Sequence, residues 1–247
     1  MSNTAGGKNS NALITRIVFA GVMAAIICVI TTFRIPLGQS KVHFANSMCL
    51  LSGLLLGPVW GGTAAGLGSA IYDVLLGGYS FFDALITFVS KFAMAWVAGK
   101  LFSIWKPKLM VTIILLCIFD AMSFISYGIY FKLSSSSIII GSVSIGIGTI
   151  LLVLIINKFF PKALSVWPIC LIGSLTYVAL YMLKTWIFKT WVEPIPADTI
   201  PSVMIAKLVP SLINAAFAIV VAPIFYHAVL PALKSAGIYK QLQDAAK

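Results

Sequence analysis

Residues 41–101 read KVHFANSMCLLSGLLLGPVWGGTAAGLGSAIYDVLLGGYSFFDALITFVSKFAMAWVAGKL, and this stretch decides the fold. It is hydrocarbon almost throughout, yet it holds Asp73 in GLGSAIYDVLL and Lys91 in DALITFVSKFAMAWVAG. A charge at bilayer depth costs at least ~2.5–3.5 kcal/mol on insertion scales, so such a residue has a partner, a water-filled cavity or a ligand. The pair points to a polar site inside a membrane protein.

The rest of the 247-residue chain agrees. It is 60% hydrophobic and 9% charged, with a mean hydropathy of +1.05. Runs near the ~20 apolar residues that span a bilayer occupy most of it and leave little for a soluble domain. Eight apolar segments are expected, at about 11–34, 43–57, 59–76, 81–104, 109–131, 138–158, 164–190 and 203–231. The second and third are short and joined by the tight turn GPVWGG. Gly53 and Gly57, Gly62 and Gly66, and Ala65 and Ser69 are each four apart, which puts small side chains on one face where backbones can approach. Residues 1–10, MSNTAGGKNS, read as a disordered cytoplasmic tail, 11–235 as one transmembrane helical domain, and 236–247 as a second cytoplasmic tail. The first apolar run lacks a cleavage site and has more spans behind it, so it reads as a permanent span.

The net charge of +11 does not point to nucleic acid, because the basic residues lie in short loops and at helix ends. With the N-terminus inside, the inner side holds Lys8, Arg16, Lys100, Lys106, Lys108, Lys158, Lys162, Lys234, Lys240 and Lys247. The outer side holds Arg34, Lys41, Lys132, Lys184 and Lys189. Ten against five favours both termini in the cytoplasm of a multi-pass plasma-membrane protein. The tract Ser134–Ser137 reads as an exposed hairpin connection. Cys28, Cys49, Cys117 and Cys170 all lie in apolar segments without metal-like spacing and read as small buried hydrophobes.

In this topology the unusual polar residues of four helices share the outer half. His43 and Asn46 begin the second segment, Tyr72 and Asp73 end the third, Lys91 lies ~15 Å below the outer end of the fourth, and Lys207 and Asn214 are in the outer half of the last. A cavity open to the outside accounts for this, lined by His43, Asn46, Tyr72, Asp73, Lys91 and Asn214, with Tyr79 from the GGYSFFD loop. Plainer readings stand beside it. Lys91 and Asp73 could form a structural ion pair, Asn46 could bond a neighbouring helix, His43 could be interfacial, Lys207 could snorkel outward, and the loop aromatics could form an interfacial belt. Asp120, also mid-span, has no evident partner. No nucleophile elbow, HExxH or Walker A sequence is present, and no cofactor or metal is expected. The protein does not read as an enzyme, and ATP-driven activity would need a partner.

The stretch just quoted resembles the second to fourth helices of the substrate-binding S-components of energy-coupling factor (ECF) vitamin transporters. The resemblance rests on the Asn opening a short helix, LLLGPVWGG, GLGSAIYD, the GGY loop and TFVSKF. Ala20 and Ala24 in AGVMA resemble the small-residue motif by which S-components dock on the coupling subunit, and PSLINAAFAIVVAPI fits the family's final helix. The resemblance implies an all-α membrane fold with a six-helix core, to which 109–158 adds a helical hairpin. It implies high-affinity binding of a water-soluble vitamin from outside, no enzymatic activity, docking on one transmembrane subunit and two ATPases, and toppling in the membrane to release substrate. The residues themselves suit a planar heteroaromatic, pyridoxine-like or pyrimidine-like, with cobalamin, riboflavin and folate open. The rival classes are a self-sufficient proton-coupled carrier relaying through Asp73, Lys91 and Asp120, and a membrane enzyme or assembly factor. Inverted repeats that would favour the carrier are not seen.

Overall fold

The computed structural model describes residues 4–37, 40–159 and 165–243; residues 4–11, 36–37, 40–43, 159 and 243 are described by backbone alone. The order of elements is α1 (Thr4–Thr32), β1 (Arg34–Leu37), β2 (Ser40–His43), α2 (Ala45–Leu75), α3 (Phe81–Ile104), α4 (Leu109–Tyr130), α5 (Ser135–Phe159), α6 (Trp167–Ile187), α7 (Ile200–Ser235) and α8 (Ile238–Gln243). Among the described residues, seven helices are long and apolar enough to cross a membrane. The fold is an all-α integral membrane protein.

The long α2 is two limbs. Gly57 takes φ +78° and Pro58 follows it, so the chain reverses there. A left-handed residue without Cβ and a residue lacking N–H together end one helix and start the next. Ser52 Oγ donates to the Gly61 carbonyl at 2.9 Å, and Cys49 Sγ lies 3.9 Å from Ser69 Oγ. A straight helix would hold Cys49 and Ser69 ~30 Å apart. The expected GPVWGG turn is therefore present, and the seven helices amount to eight apolar limbs. Limb 45–56 reaches only ~18 Å, short of the ~30 Å hydrocarbon core.

Glycine sets how closely the limbs pack. A Cβ on Gly53 would lie 2.3 Å from the Ala95 carbonyl oxygen, and one on Gly68 would lie 2.4 Å from that of Ala24. Backbone contact thus ties α2 to α3 on one side and to α1 on the other. With α6 and α7 these helices enclose a core around Ile27, Leu50, Leu54, Met94 and Ile169. The α4–α5 hairpin sits outside it: α4 leans on α6 and α7, while α5 packs mainly on α4 and is exposed along most of its length. This is a six-limb core with an added hairpin. Ser134 Oγ accepts from the Ser137 amide at 3.3 Å in the hairpin connection.

One expectation, at the start of the chain, needs correction. Residues 4–10 are helical rather than disordered, because extending a helix already nucleated in the apolar run costs little. After residue 236, α8 folds back over 238–243, and Leu242 is buried in the core. Within FRIPLGQSKVHF, Arg34–Leu37 and Ser40–His43 pair as a two-stranded antiparallel ribbon, with Arg34 opposite His43 and Leu37 opposite Ser40. Thr15 Oγ1 donates to Gln241 Oε1 at 2.9 Å, so α8 and the start of the α1 span lie at the same end of the bundle.

Candidate functional site

At the opposite end, α2, α3, α6 and α7 surround a cavity of about 350 Å³. Small and bent residues make the space: the α2 reversal draws two limbs together, and α3 begins just beyond Gly78, which takes φ +67°. The Ser80 side chain caps α3, accepting from the Asp83 amide at 3.1 Å and donating to Asp83 Oδ2 at 2.8 Å.

Lys91 lies at the cavity's side, only 3% exposed. Its ammonium donates to Asn46 Oδ1 and sits 3.8 Å from the centroid of the Tyr177 ring. A buried ammonium thus has one carbonyl acceptor and one π face, both from neighbouring helices. Asp73 and Thr87 line the same cavity. No Lys91–Asp73 ion pair forms. The ion pairs among the described residues are Lys184–Asp83 at 2.5 Å, joining α6 to α3, and Lys189–Glu193 at 2.6 Å. α6 runs on into a single π-turn, Phe188–Val192, at the cavity rim. Such turns recur at functional sites.

Of the residues expected in the site, Tyr72, Asp73, Tyr79, Lys91 and Asn214 line this one cavity, as does Lys207. Asn46 stands behind Lys91 as its acceptor. His43 pairs with Arg34 in the ribbon, and its side chain lies outside the described residues. Asp120 is elsewhere, on α4, where it accepts from Thr149 of α5. Ala20 and Ala24 are each 8% exposed, and the Ala24 backbone lies against Gly68 of α2.

The α6 wall was missed: Tyr177, Tyr181, Lys184 and Phe188 all line the cavity. Their spacing of four, three and four marks one helix face, and that was the available signal. Tyr177 and Tyr181 lie 6.0 Å apart with ring planes within 17°. Arg34 also lines the cavity, 5.6 Å from the centroid of the Tyr72 ring. The lining holds five cations, Arg34, Lys91, Lys184, Lys189 and Lys207, against three carboxylates, Asp73, Asp83 and Glu193. The surplus favours a ligand with electron-rich or anionic groups. Among the described residues no three His, Cys, Asp or Glu side chains are grouped to hold a metal ion.

A family model described as the S component of the ECF-type riboflavin transporter matches residues 11–166, more than half of the chain. The chain belongs to this family. It is therefore a membrane S component, a substrate-binding subunit of vitamin uptake. The match runs from α1 through the α4–α5 hairpin, so the hairpin lies within the matched region. No curated protein and no solved structure matches the chain.

Proposed function

We propose that this S component captures riboflavin from the outer face and delivers it by docking on an ATP-driven ECF module, with both termini in the cytoplasm. The observation that carries the reading is the cavity itself: aromatic rings of α2 and α6 and a buried ammonium meet in a space that suits one planar heteroaromatic molecule. The residues alone favoured a pyridoxine-like or pyrimidine-like ligand. The family description moves the proposal to riboflavin, whose isoalloxazine contains a pyrimidinedione ring. In this reading Lys91, held by Asn46, donates to a ring carbonyl. Tyr177 and Tyr181 face the ring system, and Asp73 and Asn214 meet its polar edge. The GGYSFFD loop and the ribbon at 34–43 close over it.

Docking uses α1. The pair first expected to meet the partner, Ala20 and Ala24, is buried, and the Ala24 backbone meets Gly68 of α2. One residue further on, Gly21 and Ala25 form a second small pair that is exposed, with open space around Gly21. We assign the partner-facing role to Gly21 and Ala25, where close backbone approach drives association that lipid does not.

Mass spectrometry of small molecules co-purified with the protein tests the ligand. A flavin is expected. Pyridoxine or a pyrimidine in its place returns the assignment to the residue-based preference. Uptake into vesicles lacking any ATPase, abolished by an uncoupler, would favour the proton-coupled carrier instead.

A further inference from the structure

The sequence AGVMAA places two pairs of small residues side by side on α1, Ala20/Ala24 and Gly21/Ala25. Adjacent residues on an α-helix are about 100° apart around the axis. Either pair could face α2 and still allow the close approach that Gly68 makes at the Ala24 carbonyl. Two rotational registers of α1 are thus compatible with small-residue packing. One is observed: Met23, Ala24 and Ile27 face the core, and Gly21 and Ala25 face outward. In a bilayer, burying Met23 and Ile27 does not by itself choose this register, because lipid is as apolar as the core.

The choice falls to polar contacts, and these gather at the inner end of α1. Arg16 is only 8% exposed, and its Nε donates to the Gln241 carbonyl at 2.9 Å. Next to it, the Thr15 hydroxyl donates to Gln241 Oε1 at 2.9 Å. Gln241 belongs to α8, which is itself held in place. Gly237, at φ +70°, turns the chain back after α7. The Tyr239 and Tyr226 hydroxyls lie 3.1 Å apart, and Leu242 is 1% exposed in the main core. A rotation of α1 by one residue would carry the buried Arg16 out of this seat and break both contacts, leaving its guanidinium Nε without the Gln241 carbonyl.

We propose that α8 is a clasp that sets the rotational register of α1, and that Arg16 is the positioning residue through which it acts. The clasp decides that Gly21 and Ala25, rather than Ala20 and Ala24, are presented to the ECF partner. This rests on the docking role given to α1 above.

The test is a nitroxide scan of α1 from Ile17 to Ile26, one cysteine at a time, in full-length protein whose native cysteines are replaced, reconstituted in nanodiscs. Accessibility to oxygen is highest at lipid-facing positions, so its helical periodicity reports the register directly. In the otherwise wild-type chain the maxima should fall at Val18, Val22 and Ala25. Two variants break the clasp independently: Thr15→Val with Arg16→Leu, and a chain ending at Ala236. In both, the phase should shift or the periodicity flatten while riboflavin affinity holds and ATP-dependent uptake falls. An unchanged phase in both variants overturns the proposal, as does a phase change accompanied by loss of riboflavin binding. Normal uptake in Gly21→Trp/Ala25→Trp would instead sink the docking reading, and the periodicity scan would still decide the clasp.

Discussion

Replacing Lys91 with Met keeps the length of the side chain and removes the buried ammonium. Three interactions are at stake. The hydrogen bond to Asn46 Oδ1 is lost and leaves that carbonyl buried at 1% exposure, which costs ~1–3 kcal/mol. The contact with the Tyr177 face, 3.8 Å away, goes as well, worth ~2 kcal/mol where desolvated. Against both, the cost of holding a charge at bilayer depth disappears, at least ~2.5 kcal/mol. The regained energy offsets at least half of the ~3–5 kcal/mol lost, so Lys91→Met should still fold, with at most a modest drop in melting temperature. Ligand binding has no such offset. A charged hydrogen bond to a ring carbonyl contributes ~1.5–3 kcal/mol, so affinity should fall roughly 10- to 150-fold by calorimetry. Asn46→Ala should give a smaller loss, and the double variant less than the sum, because Asn46 acts by orienting Lys91. Unchanged affinity in Lys91→Met would refute the reasoning: Lys91 would then be a structural cation and the ligand would sit elsewhere.

Further outcomes follow from the same geometry. Tyr177→Ala should weaken riboflavin binding by ~0.5–1.5 kcal/mol beyond lost contact area, and fluorescence titration reads this; equal affinity places the ring system away from α6. Riboflavin should slow hydrogen exchange at residues 77–83 and along the 34–43 ribbon, and identical exchange with and without it removes the lid. Gly21→Trp with Ala25→Trp should abolish ATP-dependent uptake and co-purification of ATPase subunits without changing ligand affinity; normal uptake by this variant removes α1 from docking. Gly53→Val should prevent folding, since its Cβ would lie 2.3 Å from the Ala95 carbonyl oxygen; normal expression of that variant would mean the α2–α3 contact is looser than described.

The sequence was most legible where a polar residue is expensive. Asp73, Lys91 and Asn214 stand out because hydrocarbon surrounds them in sequence, and all three line the cavity. The α2 turn was legible because Gly57 and Pro58 each carry a backbone constraint. Tyr177 and Tyr181 were not, since a tyrosine within a span has no cost that sets it apart from an ordinary core or interface aromatic. Their helix was legible, as the apolar segment at about 164–190 that α6 occupies. The orientation of α1 was ambiguous for a geometric reason. AGVMAA offers two small pairs 100° apart, and only tertiary contacts with Gly68 and Gln241 distinguish them. Residues 4–10 fold as an extension of α1, and α8 folds against α1, α2 and α7, neither of which local composition reveals.

The most direct measurement is a titration of riboflavin onto the purified, ligand-stripped protein in nanodiscs, followed by flavin fluorescence. The account predicts saturable one-to-one quenching as the ring system meets the tyrosines of α6, and markedly weaker binding by Lys91→Met. The absence of saturable quenching in a protein that stays folded and monodisperse, or equal binding by the wild type and Lys91→Met, would contradict it.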